Sequence, residues 1–253
     1  MRIARVAYQG RIAFGVIEGD TVSELDGPPI GDIRFTGNRV PLADCKLLAP
    51  VLPSKIVAVG RNYSEHAAEL GNDIPDDPLL FLKPSTSIIG PGEAIRKPHG
   101  LERLDHEAEL AIVIAGLVRN ADADQAEAGI LGYTCGNDVS ARDYQKSDGQ
   151  WTRAKGFDTF CPLGPWIETN IDPAALRIQS RVNGEPRQDG NTKDMIFDPV
   201  YLVSYVSRIM TLLPGDIIMT GTPAGVGPME PGDDVEVEIE GIGVLRNTVE
   251  FGG

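Results

Sequence analysis

The chain reads "LERLDHEAELAIVIAG" from Leu101 to Gly116, and the fold turns on how this stretch is read. After Glu109 every position through Ala115 is apolar, odd and even alike, which suits a strand buried on both faces. Glu107 and Glu109 stand at its entrance. On a strand, residues i and i+2 share a face, so the two carboxylates converge with Cα atoms roughly 7 Å apart. On a helix they diverge by about 200°. Buried carboxylates are costly unless something pairs with them, so the strand reading raises the question of what compensates these two.

Other segments read as strands around this one. "RIARVAY", "RIAFGVI" and "TVSEL" near the N-terminus are short strands punctuated by Gly and Asp turns. A stretch rich in Pro and Gly follows from Gly27 to about Pro53, so a small N-terminal β module is expected over residues 1–50 and a larger domain over 51–253. "KIVAVG" (Lys55–Gly60), "LLFLKPSTSIIG" and "LGYTCGNDV" are further strands. The tail "GDDVEVEIEGIGVLRNTVEF" is a hairpin in which Val235, Val237 and Ile239 alternate with glutamates. Helices are fewer. "NYSEHAAELG" is a short one, with Asn62 as cap, Glu65 completing a capping box and Gly71 ending it. "DADQAEAGI" is another, and "PVYLVSYVSRIM" is a third, approached by Asp198. "NDIPDDP" is expected as a surface loop. The fold class is therefore β-rich α+β, not a Rossmann fold.

Bulk properties narrow the function. A net charge of -14 over 253 residues argues against nucleic acid and anionic membrane surfaces as partners. It permits an anionic small substrate if the site itself is locally basic. No segment approaches the about 20 apolar residues of a membrane span, and the N-terminus lacks the apolar core of a signal peptide. Cys45, Cys135 and Cys161 form neither a disulfide framework nor a CxxC zinc site, so a reducing cytoplasm is the expected location.

Asp138, in "GNDVSARD", ends another candidate strand. If that strand neighbours the one carrying Glu107 and Glu109, three carboxylates meet in one pocket, which like charges cannot share unpaired. A hard divalent cation, Mg²⁺ or Mn²⁺, resolves this. Pairing of the glutamates with arginines, or exposure to water, is the alternative that spacing leaves open. Zinc is disfavoured by only three histidines, His66, His99 and His106, with no close cysteine partner. His106 is expected on the opposite face of the strand from Glu107.

Six separated segments, in order, resemble the fumarylacetoacetate hydrolase family: "VGRNYSEHAAELG", "PLLFLKPSTSIIGPGEAI", "LDHEAELAIVI", "GYTCGNDVSARDYQ", "AKGFDTFCPLGPWI" and "LLPGDIIMTGTPAGVGPMEPGD". They span most of the chain from about residue 55, while the first 50 residues carry little of the resemblance. The resemblance implies a mixed β-sandwich roll with a small N-terminal domain, usually a homodimer. It implies Mg²⁺ or Mn²⁺ held by Glu107, Glu109 and Asp138. It implies catalytic roles for His66 and Glu69, three apart on one helix face, with Glu69 orienting His66 to activate water, and for Lys155 in stabilising negative charge on the reacting carbonyl oxygen. Arg61, Lys83 and Gln145 match positions near the substrate. In "GTPAGVGP", which lacks the GK[ST] of a P-loop, the Thr222 hydroxyl and nearby N–H groups are expected to bind a carboxylate. The implied activity is on small 2-oxo or 2-enol (di)carboxylic acids through a metal-bound enolate. Isomerisation of the 2-hydroxyhepta-2,4-diene-1,7-dioate type in aromatic-acid breakdown is expected first, with C–C hydrolysis of acylpyruvates or fumarylpyruvate and decarboxylation of oxaloacetate as alternatives. A non-catalytic β-rich binding module is the alternative of another class.

Overall fold

The computed structural model describes residues 1–65 and 75–252. The strand Ala108–Ile114 lies near the middle of a large sheet and is buried at every position. It pairs antiparallel with Ile130–Asn137 on one side and Ile217–Met219 on the other. Ile56–Gly60 continues the sheet parallel to Ile217–Met219, and Leu79–Lys83 closes that end. In the other direction Ile130–Asn137 pairs with Cys161–Glu168, which pairs with the first strand, Arg2–Tyr8. Arg11–Glu18, Thr21–Leu25 and Phe35–Pro41 then run to the far edge. The N-terminal strands and the central strand thus belong to one continuous sheet.

Alternation along Ala108–Ile114 builds two cores. Ala108, Leu110, Ile112 and Ile114 face Ile178, Val237, Ile239 and Leu245, and with them Leu202, Val203 and Val206 of the helix Pro199–Ile209. Ala111 and Val113 face the other way, against Ile56, Ala58, Leu163, Ile217 and Met219. Both faces are covered, which is why the run carries no polar residue beyond Glu109. The covering sheet has the order Glu185–Asn191, Arg177–Val182, Asp234–Ile239, Gly243–Phe251, Ala94–Lys97. Its hairpin is the one read in the tail, with Val235, Val237 and Ile239 buried and the intervening acids half-exposed. The expected β-rich sandwich is the observed architecture.

The helices follow their caps. Asp122 accepts from the Gln125 N–H, and the Gln125 side chain accepts from the Asp122 N–H, a capping box opening Ala123–Ala128. Asp198 accepts from the Tyr201 N–H to open Pro199–Ile209.

Two expectations need correcting. The Pro- and Gly-rich stretch after Gly27 contains a strand, Phe35–Pro41, and a shorter one, Lys46–Leu48, paired with Arg2–Tyr8. Phe35–Pro41 is an edge strand exposed along nearly its whole length, so it shows no buried alternation to read. The Asn62 side chain is used for long-range bridging: it donates to the carbonyls of Phe197 and Thr220 and accepts from the Phe197 N–H. Ser64 and Glu65 are helical, and the expected helix beyond them, with His66 and Glu69, lies outside the described residues.

Candidate active site

Glu107 immediately precedes the central strand, Glu109 lies on it, and Asp138 follows the neighbouring strand Ile130–Asn137. Register brings them together: Ala108 pairs with Asn137. Two further bonds lock the junction, Asp138 N–H to the Glu107 carbonyl at 2.9 Å and Glu107 N–H to Asn137 Oδ1 at 3.0 Å. All three acids are buried, and they offer carboxylate oxygens lying within 4.8 Å of one another.

The three are not equally compensated. Lys155 Nζ donates to Glu107 Oε2 at 2.8 Å and to Asp138 Oδ2 at 2.6 Å. Lys83 Nζ holds Asp138 Oδ1 at 2.6 Å and also donates to the Lys155 carbonyl at 2.5 Å. Arg142 reaches Glu107 Oε1 at 2.6 Å and is itself anchored by Asp105 at 2.8 Å. Among the described residues, Glu109 accepts only the Gly221 N–H, at 2.7 Å, and no cationic side chain touches it. Burial therefore pushes the Glu109 carboxyl well above the usual carboxylate range, with the charges of Asp138 and Glu107 adding to the shift. Burial works against the Lys155 ammonium, but the charges of Asp138 and Glu107 outweigh it and hold Lys155 above the ordinary lysine range.

This donor set fits a hard divalent cation. Three convergent carboxylates supply oxygen ligands of the kind Mg²⁺ and Mn²⁺ prefer, and Glu109 is a buried carboxylate that the described residues leave largely uncompensated. Arginine and lysine pair with Glu107, and the cluster as a whole could hold a cation.

The carboxylates sit in a cavity of about 440 Å³, whose wall also includes Arg61, Arg103, Arg142, Gln145, Lys155 and Thr222. Arg61 takes a left-handed conformation, φ 58°. Gln145 accepts from Arg142 Nη1 at 2.7 Å. Gly221 also has a positive φ, 93°, and a Cβ there would come within 2.8 Å of Asn62 Cβ. Glycine thus lets the loop approach closely enough for its N–H to reach Glu109. Lys83, expected near a substrate, lies instead behind Asp138, fully buried and off the cavity wall. His106 is buried outside the carboxylate cluster, its Nδ1 3.2 Å from Gln188 Oε1.

Sequence reasoning missed Arg142, Arg103, Phe81 and Trp151. Arg142 opens the helix Arg142–Asp148 four residues after Asp138, and Lys155 ends the helix Thr152–Lys155. Neither short helix has an apolar stripe to announce it. Phe81 and Trp151 meet edge to face, ring centres 5.2 Å apart, and Phe81 lies 5.3 Å from Lys155 Nζ.

Comparison with known proteins agrees with the geometry. Residues 55–250 match the family model described as fumarylacetoacetate (FAA) hydrolase C-terminal, and residues 1–50 match one described as Rv2993c-like, N-terminal. Protein Rv2993c of Mycobacterium tuberculosis is 54% identical, over 98% of each chain. Oxaloacetate tautomerase FAHD2A, mitochondrial, of Bos taurus is 43% identical over 95% of this chain and 77% of its own. Among solved structures, 5-carboxymethyl-2-hydroxymuconate delta-isomerase from Mycobacterium smegmatis superposes with a TM-score of 0.95 at 51% identity, covering 100% of both chains. Maleylpyruvate hydrolase from Sphingobium sp. SYK-6, solved with manganese(II) and pyruvate, gives 0.83 at 32% identity, again over 100% of both chains. The chain belongs to the fumarylacetoacetate hydrolase family.

Proposed function

We propose that the protein is a divalent-metal-dependent enzyme acting on small 2-oxo or 2-enol (di)carboxylic acids, with isomerisation of a 2-hydroxy-dienoic diacid of the 2-hydroxyhepta-2,4-diene-1,7-dioate type as its main reaction. The observation that carries this reading is the buried cluster of Glu107, Glu109 and Asp138 on the wall of a cavity otherwise rich in arginine and lysine. The structural likeness to an isomerase of a hydroxymuconate supports the reaction type.

Glu107, Glu109 and Asp138 would hold Mg²⁺ or Mn²⁺, and such a cation supplies Lewis acidity toward a 2-oxo oxygen and its neighbouring carboxylate. Lys155 presents a buried ammonium beside two of the three ligands, placed to favour negative charge as it develops on substrate oxygen. Arg61 offers a cationic donor to the remaining carboxylate of a diacid, beside Arg103, whose guanidinium is engaged by Asp105. Phe81 and Trp151 supply an apolar wall beside Lys155 that excludes water. His66 and Glu69 are assigned the proton transfer between carbon positions on the family resemblance, His66 as base and Glu69 as the group that fixes its tautomer. In a hydrolytic variant the same pair would activate water. The chain is proposed to act as a homodimer in the cytoplasm.

Ultraviolet-monitored turnover tests this reading, using a 2-hydroxy-dienoic diacid, acetylpyruvate and oxaloacetate, each with Mg²⁺ and then with excess chelator. Chelator-sensitive conversion is expected, fastest for the dienoic diacid. Faster acetylpyruvate cleavage would replace the isomerase with a C–C hydrolase. Faster consumption of oxaloacetate would point to that acid, and released CO₂ would separate decarboxylation from the tautomerisation for which the bovine relative is named. Turnover unaffected by chelator, or none of any substrate, would sink the reading.

A further inference from the structure

Behind Thr222 lies a buried amide that the proposed reaction does not use. Gln188, on the strand Glu185–Asn191 of the covering sheet, is 1% exposed. Its Oε1 is 3.0 Å from the Ala108 N–H, 3.0 Å from the Ser180 hydroxyl and 3.2 Å from His106 Nδ1. Its Nε2 is 2.6 Å from Thr222 Oγ1 and 2.8 Å from the Pro223 carbonyl.

Two of these partners are backbone groups whose roles cannot change. The Ala108 N–H only donates and the Pro223 carbonyl only accepts. Together they fix which end of the Gln188 amide is oxygen and which is nitrogen, with no freedom to flip. Two consequences follow. Oε1 can only accept, so His106 Nδ1 carries its proton. Nε2 can only donate, so Thr222 Oγ1 is forced to accept, and its own proton must point elsewhere. Thr222 makes no other side-chain hydrogen bond among the described residues, and it lines the cavity that holds the three carboxylates.

We propose that Gln188 is a positioning residue: by donating to Thr222 Oγ1 it holds the Thr222 hydroxyl as a hydrogen-bond donor into the cavity, aimed at an anionic or carbonyl oxygen of the substrate. The inference rests on the 2-oxo acid reading above. It explains why a threonine can recognise an oxygen acceptor specifically. A free hydroxyl serves donor and acceptor alike, whereas one whose lone pair is already engaged from behind presents its proton. Preorganisation of this kind removes the cost of ordering the donor when the ligand arrives.

The test is calorimetric titration of oxalate, a mimic of a 2-oxo acid enolate, in saturating Mg²⁺. Wild type is compared with Gln188→Glu, Thr222→Val and the double variant. In Gln188→Glu one oxygen keeps the contacts to Ala108, Ser180 and His106, and the other replaces Nε2, so the Thr222 hydroxyl turns to donate to it. Each single variant is expected to raise the oxalate Kd about tenfold, the double variant no further, and Mg²⁺ binding alone to stay within about twofold of wild type. An unchanged Kd in Gln188→Glu overturns the proposal. So does a double variant weaker than Thr222→Val alone, since the added charge would then be acting by repulsion rather than through Thr222. If the glutamate variant does not fold, Thr222→Ser decides. Held by Gln188, a serine hydroxyl keeps wild-type affinity within about twofold, whereas a tenfold loss means that the threonine methyl sets the orientation. Wild type that binds no oxalate in Mg²⁺ defeats the substrate reading itself and this inference with it, whereas oxalate binding with unaltered variants defeats the positioning role alone.

Discussion

The carboxylates of the cluster are compensated unequally. Asp138 is held by two buried lysines and Glu107 by Lys155 and Arg142, while Glu109 has one backbone N–H among the described residues. Removing Asp138 leaves Lys83 and Lys155 short of charge in the interior, and Asp138→Asn is expected to lower stability by about 3–5 kcal/mol. Glu109→Gln behaves differently. The amide oxygen can still accept from Gly221, and an unpaired buried acid is gone, so the metal-free protein should melt no lower than wild type. Its thermal shift on adding Mn²⁺ should vanish. Melting curves with and without Mn²⁺ check both statements, and a Glu109→Gln protein that keeps the wild-type Mn²⁺ shift would remove Glu109 from the ligand set. A carboxylate far from the site gives a pH prediction. The Tyr8 hydroxyl, then Asn38, hold Glu24 below the ordinary glutamate range. A depressed folded pKa contributes stability that is present above the unfolded value near 4.5 and lost as pH falls through the folded value. Wild type should therefore exceed Glu24→Gln in melting temperature at pH 7, and the gap should close steadily below pH 4.5. A gap independent of pH would mean that packing, not charge, sets the contribution.

The element that made the site legible is the strand Ala108–Ile114. Its apolar run and the i, i+2 spacing of Glu107 and Glu109 are local features, so the strand and the shared face could be read directly, whereas a cation was implied only by the family resemblance. The partner strand carrying Asp138 was legible for the same reason. The short helices Arg142–Asp148 and Thr152–Lys155 were not, because ion pairs to Asp105, Glu107 and Asp138 hold them, and such contacts leave no periodicity. Phe35–Pro41 escaped because an exposed edge strand has no wet and dry face to alternate between. The loop at Gly221 was legible as glycine-rich, but not the bond from its N–H to Glu109. Gly221→Ala must place a Cβ against Asn62 at a φ of 93°, and about 1–3 kcal/mol of destabilisation is expected. Because the same loop carries the N–H to Glu109 and the Thr222 side chain, Mn²⁺ affinity should fall as well. Wild-type melting and Mn²⁺ binding in this variant would show that the close approach is dispensable.

For the whole molecule, the net charge of -14 and the character of the cavity run in opposite directions. Arg61, Arg103, Arg142, Lys146 and Lys155 line the cavity alongside Glu107, Glu109 and Asp138, so the surplus of acid lies elsewhere. Local basicity of this kind would suit the dicarboxylate substrate proposed above. The N-terminal strands complete the molecule at the other end. Ile3, Val16 and Leu25 share a core with Leu163 and Ile167, and the terminal ammonium pairs with Glu168 at 3.0 Å. Residues 51–253 expressed alone would bare the strand Cys161–Glu168 as an unpaired edge along its contact with Arg2–Tyr8, an invitation to intermolecular pairing. This fragment should elute as aggregate in size-exclusion chromatography, and a monodisperse fragment that still binds Mn²⁺ would make the first 50 residues accessory.

The central strand also bears on how variation in this protein would be tolerated. One seven-residue segment supplies the interior of both layers through Leu110, Ile112, Ala111 and Val113 and carries a carboxylate of the site through Glu109. In a saturation library scored for both abundance and turnover, substitutions at positions 110–113 should lose the two together. Neutral, similarly sized replacements at 109 should lose turnover while the protein accumulates normally. The boundary between fold and catalysis would then be drawn residue by residue along a single strand, with neighbouring side chains answering to different selective pressures.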